Sequence, residues 1–197
     1  MLAKKYIREA RKLTRQKKYD LCIEKASAAI RTDPKYVRGY RQRGGCYFDM
    51  KRFNEALVDF NSALKLNASD RKTLNGIAFI YATAGDPKVR NGEKALEYAQ
   101  LASDKFILYY KKKGRKAPNP YVYKHTLAAA NARSDNFADA KKYQLEAIKL
   151  LKNNIEDISV KNWDLSKKER ARVYYDEKLT EYESELALYE RNQPLTK

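Results

Sequence analysis

The sequence predicts an all-α protein, a solenoid of about four two-helix repeats closed by a long C-terminal helix. Three observations predict it. A phrase of twelve residues recurs along the chain, first at an offset of 34 residues, and a period of roughly 20–50 residues marks a repeat architecture. Small residues return at fixed places within each period. Apolar residues fall at helical spacing in both halves of each period.

Composition agrees with a folded, water-exposed array. Of 197 residues, 43% are apolar and 34% charged, enough apolar matter to build a core. No apolar run approaches the roughly 18 residues of a membrane span. Lys and Arg exceed Asp and Glu by 42 to 25, a net charge of +17, which favours anionic partners but does not bear on fold.

The elements follow in order. The phrase Tyr19-Asp20-Leu21-Cys22, ending Ala29-Ile30, aligns with Phe53-Asn54-Glu55-Ala56, ending Ala63-Leu64. It returns around Ala95 and Ala102, and again around Ala140 and Ala147. Its first small residue falls at 22, 56, 95 and 140, so the later spacings carry insertions of 5 and 11 residues. A third small residue precedes each phrase: Ala10, Gly44, Ala78 and Ala128. Each of these twelve positions gives a helix a narrow waist where its neighbour crosses. Larger residues beside the waists, among them Leu13, Tyr47, Phe53, Phe60, Tyr81 and Phe137, fill the space between helices. One such unit cannot bury its own face, so stacking supplies the core.

The pattern resembles the tetratricopeptide repeat, a 34-residue helix–turn–helix unit with small residues at repeat positions 8, 20 and 27. The resemblance implies a right-handed solenoid with repeats at about 3–36, 37–70, 71–105 and 121–152. Other family marks are patchier: Tyr6 and Tyr40 supply the position-4 aromatic, and Pro34 the closing proline once. Repeat three carries an enlarged turn, Gly85-Asp86-Pro87 to Arg90-Asn91-Gly92, similar to a variant found in bacterial proteins of this family. Gly114, Pro118 and Pro120 predict an exposed basic loop over 109–120. An irregular stretch is expected over 153–158. Ser166 and Glu169 form a capping-box signature for a last helix running to about Asn192, before Pro194. Its stripe of Tyr175, Leu179, Tyr182, Leu186 and Tyr189 suits a cap over the open end of the array, or a short coiled-coil contact. The division expected is thus an array over 1–152 and a linker with capping helix over 153–197.

The resemblance also implies a peptide-binding groove lined by the first helix of each repeat. Mapped onto it are Arg8, Arg11 and Arg15 from repeat one, and Arg38, Arg41, Gln42 and Phe48 from repeat two. Repeats three and four add Lys72, Phe79 and His125. The near half is basic and the far half apolar. That combination predicts an adaptor binding an acidic or C-terminal peptide, because Arg grips carboxylates through paired hydrogen bonds. Charge is unevenly placed: residues 1–53 hold sixteen Lys/Arg against five Asp/Glu, whereas 167–197 hold seven of each. The five-residue carboxylate clamp of chaperone-binding members maps to Ile7, Arg11, Gln42, Lys72 and Gly76, where only Lys72 agrees in kind.

The alternative is nucleic acid. Lys111, Lys112, Lys113, Arg115 and Lys116 lie between Tyr109, Tyr110, Tyr121 and Tyr123, so phosphate neutralisation and base stacking could combine. Catalysis is not expected. No phosphate-binding glycine loop or metal-ligand spacing occurs, His125 is a lone histidine, and no cofactor is implied. Cys22 reads as an inert waist thiol and Cys46 as a free thiol of repeat two. Free thiols without a signal-peptide core suggest the cytoplasm, with export of a processed chain as the alternative. The expected state is a monomer or weak dimer.

Overall fold

A computed structural model describes residues 2–114 and 117–197. Among these residues the secondary structure is helical throughout: α1 (Leu2–Arg15), α2 (Tyr19–Thr32), α3 (Val37–Asp49), α4 (Phe53–Leu66), α5 (Arg71–Thr83), α6 (Gly92–Lys112), α7 (Tyr121–Arg133), α8 (Phe137–Val160) and α9 (Leu165–Glu190). Helices pair as α1–α2, α3–α4, α5–α6 and α7–α8, and each pair packs on the next. The odd-numbered helices also touch in series, α1 on α3, α3 on α5 and α5 on α7, forming one inner row. This is a helical solenoid.

The waists explain the stacking. Ala10, Cys22, Ala29, Ala56, Ala63, Ala78, Ala95, Ala102, Ala128, Ala140 and Ala147 are each fully buried, and Gly44 is buried with them. Gly44 is needed as glycine: a Cβ there would sit 2.7 Å from Phe60 Cε1 and 3.2 Å from the Ala56 carbonyl oxygen.

Four helices end in one recurring way. Lys17, Lys51, Asp135 and Asn192 adopt left-handed backbone with φ of 55 to 60°. The next residue's N–H then reaches back to a carbonyl of the last turn, as from Lys18 to Leu13, Arg52 to Tyr47, Asn136 to Asn131 and Gln193 to Leu188. So α1, α3, α7 and α9 close alike, and α5, followed by the enlarged turn, does not.

Three expectations need correction. Residues 153–158 are helical, continuing α8, because Leu151 and Ile158, one heptad apart, are both fully buried and fasten this stretch where α8 packs on α9. The basic loop begins later than expected. Tyr109, Tyr110, Lys111 and Lys112 belong to α6, whose extra turns carry Phe106 onto Tyr123 with ring centroids 4.6 Å apart. The cap of α9 is Asp164, which accepts from the Lys167 N–H, rather than Ser166. A carboxylate two residues earlier is the better acceptor for a helix N-terminus.

The cysteines are the fourth correction. Cys22 and Cys46 form a disulfide joining α2 to α3, with Cα atoms 6.4 Å apart. Neither is a free thiol, so the thiol argument for a reducing compartment falls away.

Candidate functional site

The inner row builds two adjoining cavities. The first, about 460 Å³, opens between α1, α3 and α5. Arg11, Lys35, Arg38, Arg41, Arg71 and Lys72 border it, against the single carboxylate of Asp70 among the described lining residues. That carboxylate is already engaged. It caps α5 by accepting from Thr73, at 2.5 Å from Oγ1, and takes both of its contacts with Arg41 at 2.7 Å. Burial alone would raise the Asp70 pKa, but the hydrogen bonds from Thr73 and Arg41 outweigh it and hold it below the ordinary value. Arg41 is thereby fixed in place. Arg71 is held by stacking, its guanidinium 4.0 Å from the Tyr109 ring centroid.

The other cations face outward with little acidic company. Arg11, Lys35 and Arg38 are exposed. Lys72 also remains at the surface, yet crowding by the protein, then the charges of Arg41, Arg11 and Arg71, push its ammonium pKa down. Positive charge is concentrated here beyond what neighbouring carboxylates relieve. Of the other expected groove residues in repeat one, Arg8 and Arg15 are exposed on α1 and do not border this cavity. Gln42 points toward the disulfide, where its Nε2 donates to Thr14 Oγ1 at 3.0 Å.

The second cavity, about 390 Å³, is apolar and aromatic. Phe48 and Phe79 line it with ring centroids 5.9 Å apart. Its far wall comes from α9 and the segment after it, through Tyr174, Lys178, Glu181, Tyr182 and Lys197. His125 is present but buried. Its Nε2 lies 2.6 Å from Glu185 Oε2, its ring stacks on Tyr182 at 4.0 Å, and Phe79 lies 5.1 Å away. Gln144 adds a hydrogen bond to the same Glu185 oxygen at 3.2 Å. His125 therefore ties α7 to α9 and offers no open ring to a ligand.

Of the expected groove residues, the structure brings Arg11, Arg38, Arg41 and Lys72 to one cavity and Phe48, Phe79 and His125 to the next. Sequence reasoning missed Lys35, Arg71 and Tyr109 in the basic cavity, and the whole α9 wall of the apolar one. A signal for the wall exists in the row Lys178, Glu181, Glu185, spaced three and four residues apart beside the aromatic stripe. In the alternative nucleic-acid set, Lys113 lies 5.0 Å over Tyr109, and Tyr110 packs on Phe106 at 5.1 Å. Arg115 and Lys116 lie outside the described residues.

The tetratricopeptide repeat family model matches residues 37–70, the pair α3–α4 with its buried Gly44, Ala56 and Ala63. Residues 37–70 are a tetratricopeptide repeat. Proteins of this repeat family mediate protein–protein interactions. The chain is also 36% identical over 85 residues to Heat shock protein STI1 of Saccharomyces cerevisiae; the match covers 41% of this chain and 14% of that protein. Its fold is similar to that of PilW, described as a widely conserved type IV pilus biogenesis factor. The TM-score is 0.63 at 16% identity, over 93% of this chain and 79% of that one. At that identity the likeness shows the fold alone. No helix among the described residues is long and apolar enough to cross a membrane.

Proposed function

We propose that this protein is a non-catalytic adaptor whose basic inner cavity, between α1, α3 and α5, binds an acidic or C-terminal peptide of a partner protein. One observation carries the reading. Six cations border a single cavity whose one carboxylate among the described lining residues, Asp70, is already spent on Arg41 and on capping α5. An incoming carboxylate would meet pre-placed guanidinium donors. The adjoining aromatic cavity, with Phe48 and Phe79, would take an apolar side chain of the same peptide.

The experiment is calorimetric titration of an acidic peptide ending in a free carboxylate into the wild-type chain and into R11E/R38E. Arg11 and Arg38 are exposed and Arg41 is not disturbed, so the fold should be spared. Charge reversal should weaken binding by about tenfold or more. Unchanged affinity refutes the reading. The Cys22–Cys46 bridge favours an oxidising compartment for this activity, since such bonds persist there.

A further inference from the structure

We propose that the inner face of repeats three and four, which borders the aromatic cavity, is a second peptide-binding site, selective for an extended segment in which a leucine is followed two residues later by a lysine. Residues 193–197 of the chain occupy this site in cis, and a partner segment of the same chemistry enters by displacing them.

The site begins with the way α5 ends. A helix leaves its last four carbonyls without partners inside the helix. On α5 these belong to Ile80, Tyr81, Ala82 and Thr83. Ala84 N–H takes the first and Asn91 N–H, from the enlarged turn, the second. The remaining two are capped from far along the chain. Arg133 Nε donates to the Ala82 oxygen at 2.7 Å, and the Lys197 backbone N–H donates to the Thr83 oxygen at 2.6 Å. The enlarged turn thus replaces the left-handed closure used by α1, α3, α7 and α9 and leaves carbonyls facing a passing strand. Gly85 keeps the track open, since a Cβ there would sit 3.1 Å from the Lys197 carbonyl oxygen.

The segment is read at three points. Arg133 Nη2 donates to the Leu195 carbonyl at 2.7 Å, which sets backbone register. The Leu195 side chain, 8% exposed, enters an apolar slot with Ala128, Ala132 and Tyr189, edged by Phe79 and Phe137. The Lys197 ammonium lies 5.1 Å over the Phe79 ring, 2.9 Å from Glu181 Oε1 and 3.8 Å from Glu185 Oε1. That Glu185 oxygen is buried without a hydrogen-bond partner, so the site keeps acidic capacity for a cation. The chemistry is opposite in sign to that of the basic cavity. The seated segment belongs to no helix and follows the closing turn of α9, so it can leave without unfolding an element.

A segment seated about nine-tenths of the time lowers a competitor's apparent affinity about tenfold. The test uses the full chain and a fluorescein-labelled, C-terminally amidated probe, Asn-Gln-Pro-Leu-Thr-Lys, read by anisotropy. The variant L195S/K197E, which loses both anchors, is expected to bind the probe about tenfold more tightly than wild type. A probe with serine in place of leucine should bind that variant about tenfold more weakly. Equal binding by wild type and variant, or indifference to the probe's leucine, overturns the proposal. Thermal melting verifies that the variant is folded; if it is not, K197E alone retains the Leu195 side chain, loosens the segment by removing its charged anchor and is expected to bind the probe more tightly than wild type, with equal binding again overturning the proposal. R11E/R38E should leave probe binding unchanged, which separates failure here from failure of the basic-cavity reading.

Discussion

Gly44 and Gly45 are neighbours on α3, and replacing each by alanine should move stability in opposite directions. Both substitutions gain about 1 kcal/mol of helix propensity. At Gly45 nothing lies within 4 Å of the added Cβ, so that gain should stand. At Gly44 the Cβ would meet Phe60 at 2.7 and 2.8 Å and the Ala56 carbonyl at 3.2 Å. The Phe60 ring has no retreat, because its opposite edge lies 2.9 Å from where a Cβ on Gly76 would stand. Overpacking at such a site costs about 3 kcal/mol, leaving Gly44→Ala destabilised by about 2 kcal/mol after the propensity gain. For a chain of this size 1 kcal/mol shifts the melting temperature by about 2–4 °C. Gly44→Ala should therefore melt about 4–8 °C below wild type, and Gly45→Ala about 2–4 °C above it. Circular dichroism melts of the three proteins at one pH decide the matter. Equal shifts for the two variants, or a stabilised Gly44→Ala, would refute the packing argument for the waist.

Other outcomes follow from the same structure. The Cys22–Cys46 bond spans a sequence separation of 24, and closing a loop of that size contributes about 3 kcal/mol in the chain-entropy picture. Urea unfolding with and without reductant should show a loss of that order, and thiol titration of the unreduced, denatured chain should find no free thiol. Burial alone would raise the Glu181 carboxyl, but hydrogen bonds from Lys178 and Lys197 pull its pKa down to about 2. A depressed carboxylate contributes stability above its unfolded pKa of about 4.3, and that contribution is lost as pH falls from there toward 2. Protection of the Lys197 amide, its exchange rate relative to the intrinsic rate at each pH, should therefore fall over that window, and Glu181→Gln should remove this change, with protection low throughout. A window unaltered in Glu181→Gln would exclude this carboxylate as its source.

The array was legible because its determinants are local and periodic. Twelve small residues at three repeat positions are the residues that the packed helices bury, and they can be read without knowing what lies across from them. The helix closures at Lys17, Lys51 and Asp135 were less visible, since neither lysine nor aspartate signals left-handed backbone as glycine does. The α9 wall was not legible. It rests on His125 meeting Glu185 and on Lys197 meeting Thr83, pairings between distant positions that no period relates. The disulfide escaped for a related reason: Cys22 occupies a waist where alanine serves in the other repeats, so size alone explained it. The charge of the groove was legible in Arg11, Arg38 and Lys72, but the commitment of Arg41 to Asp70 was not, because Asp70 also reads simply as a helix cap.

The central claim is that the basic cavity recognises a protein carboxylate. Its most direct test sets two labelled ligands against one protein at matched ionic strength: an acidic peptide with a free C-terminus, and a single-stranded RNA oligomer of equal charge. Anisotropy should show the peptide bound more tightly, weakened by R11E/R38E and little affected by K111E/K112E/K113E. RNA bound more tightly than the peptide, with its affinity removed by the lysine substitutions and falling steeply with salt, would contradict the account.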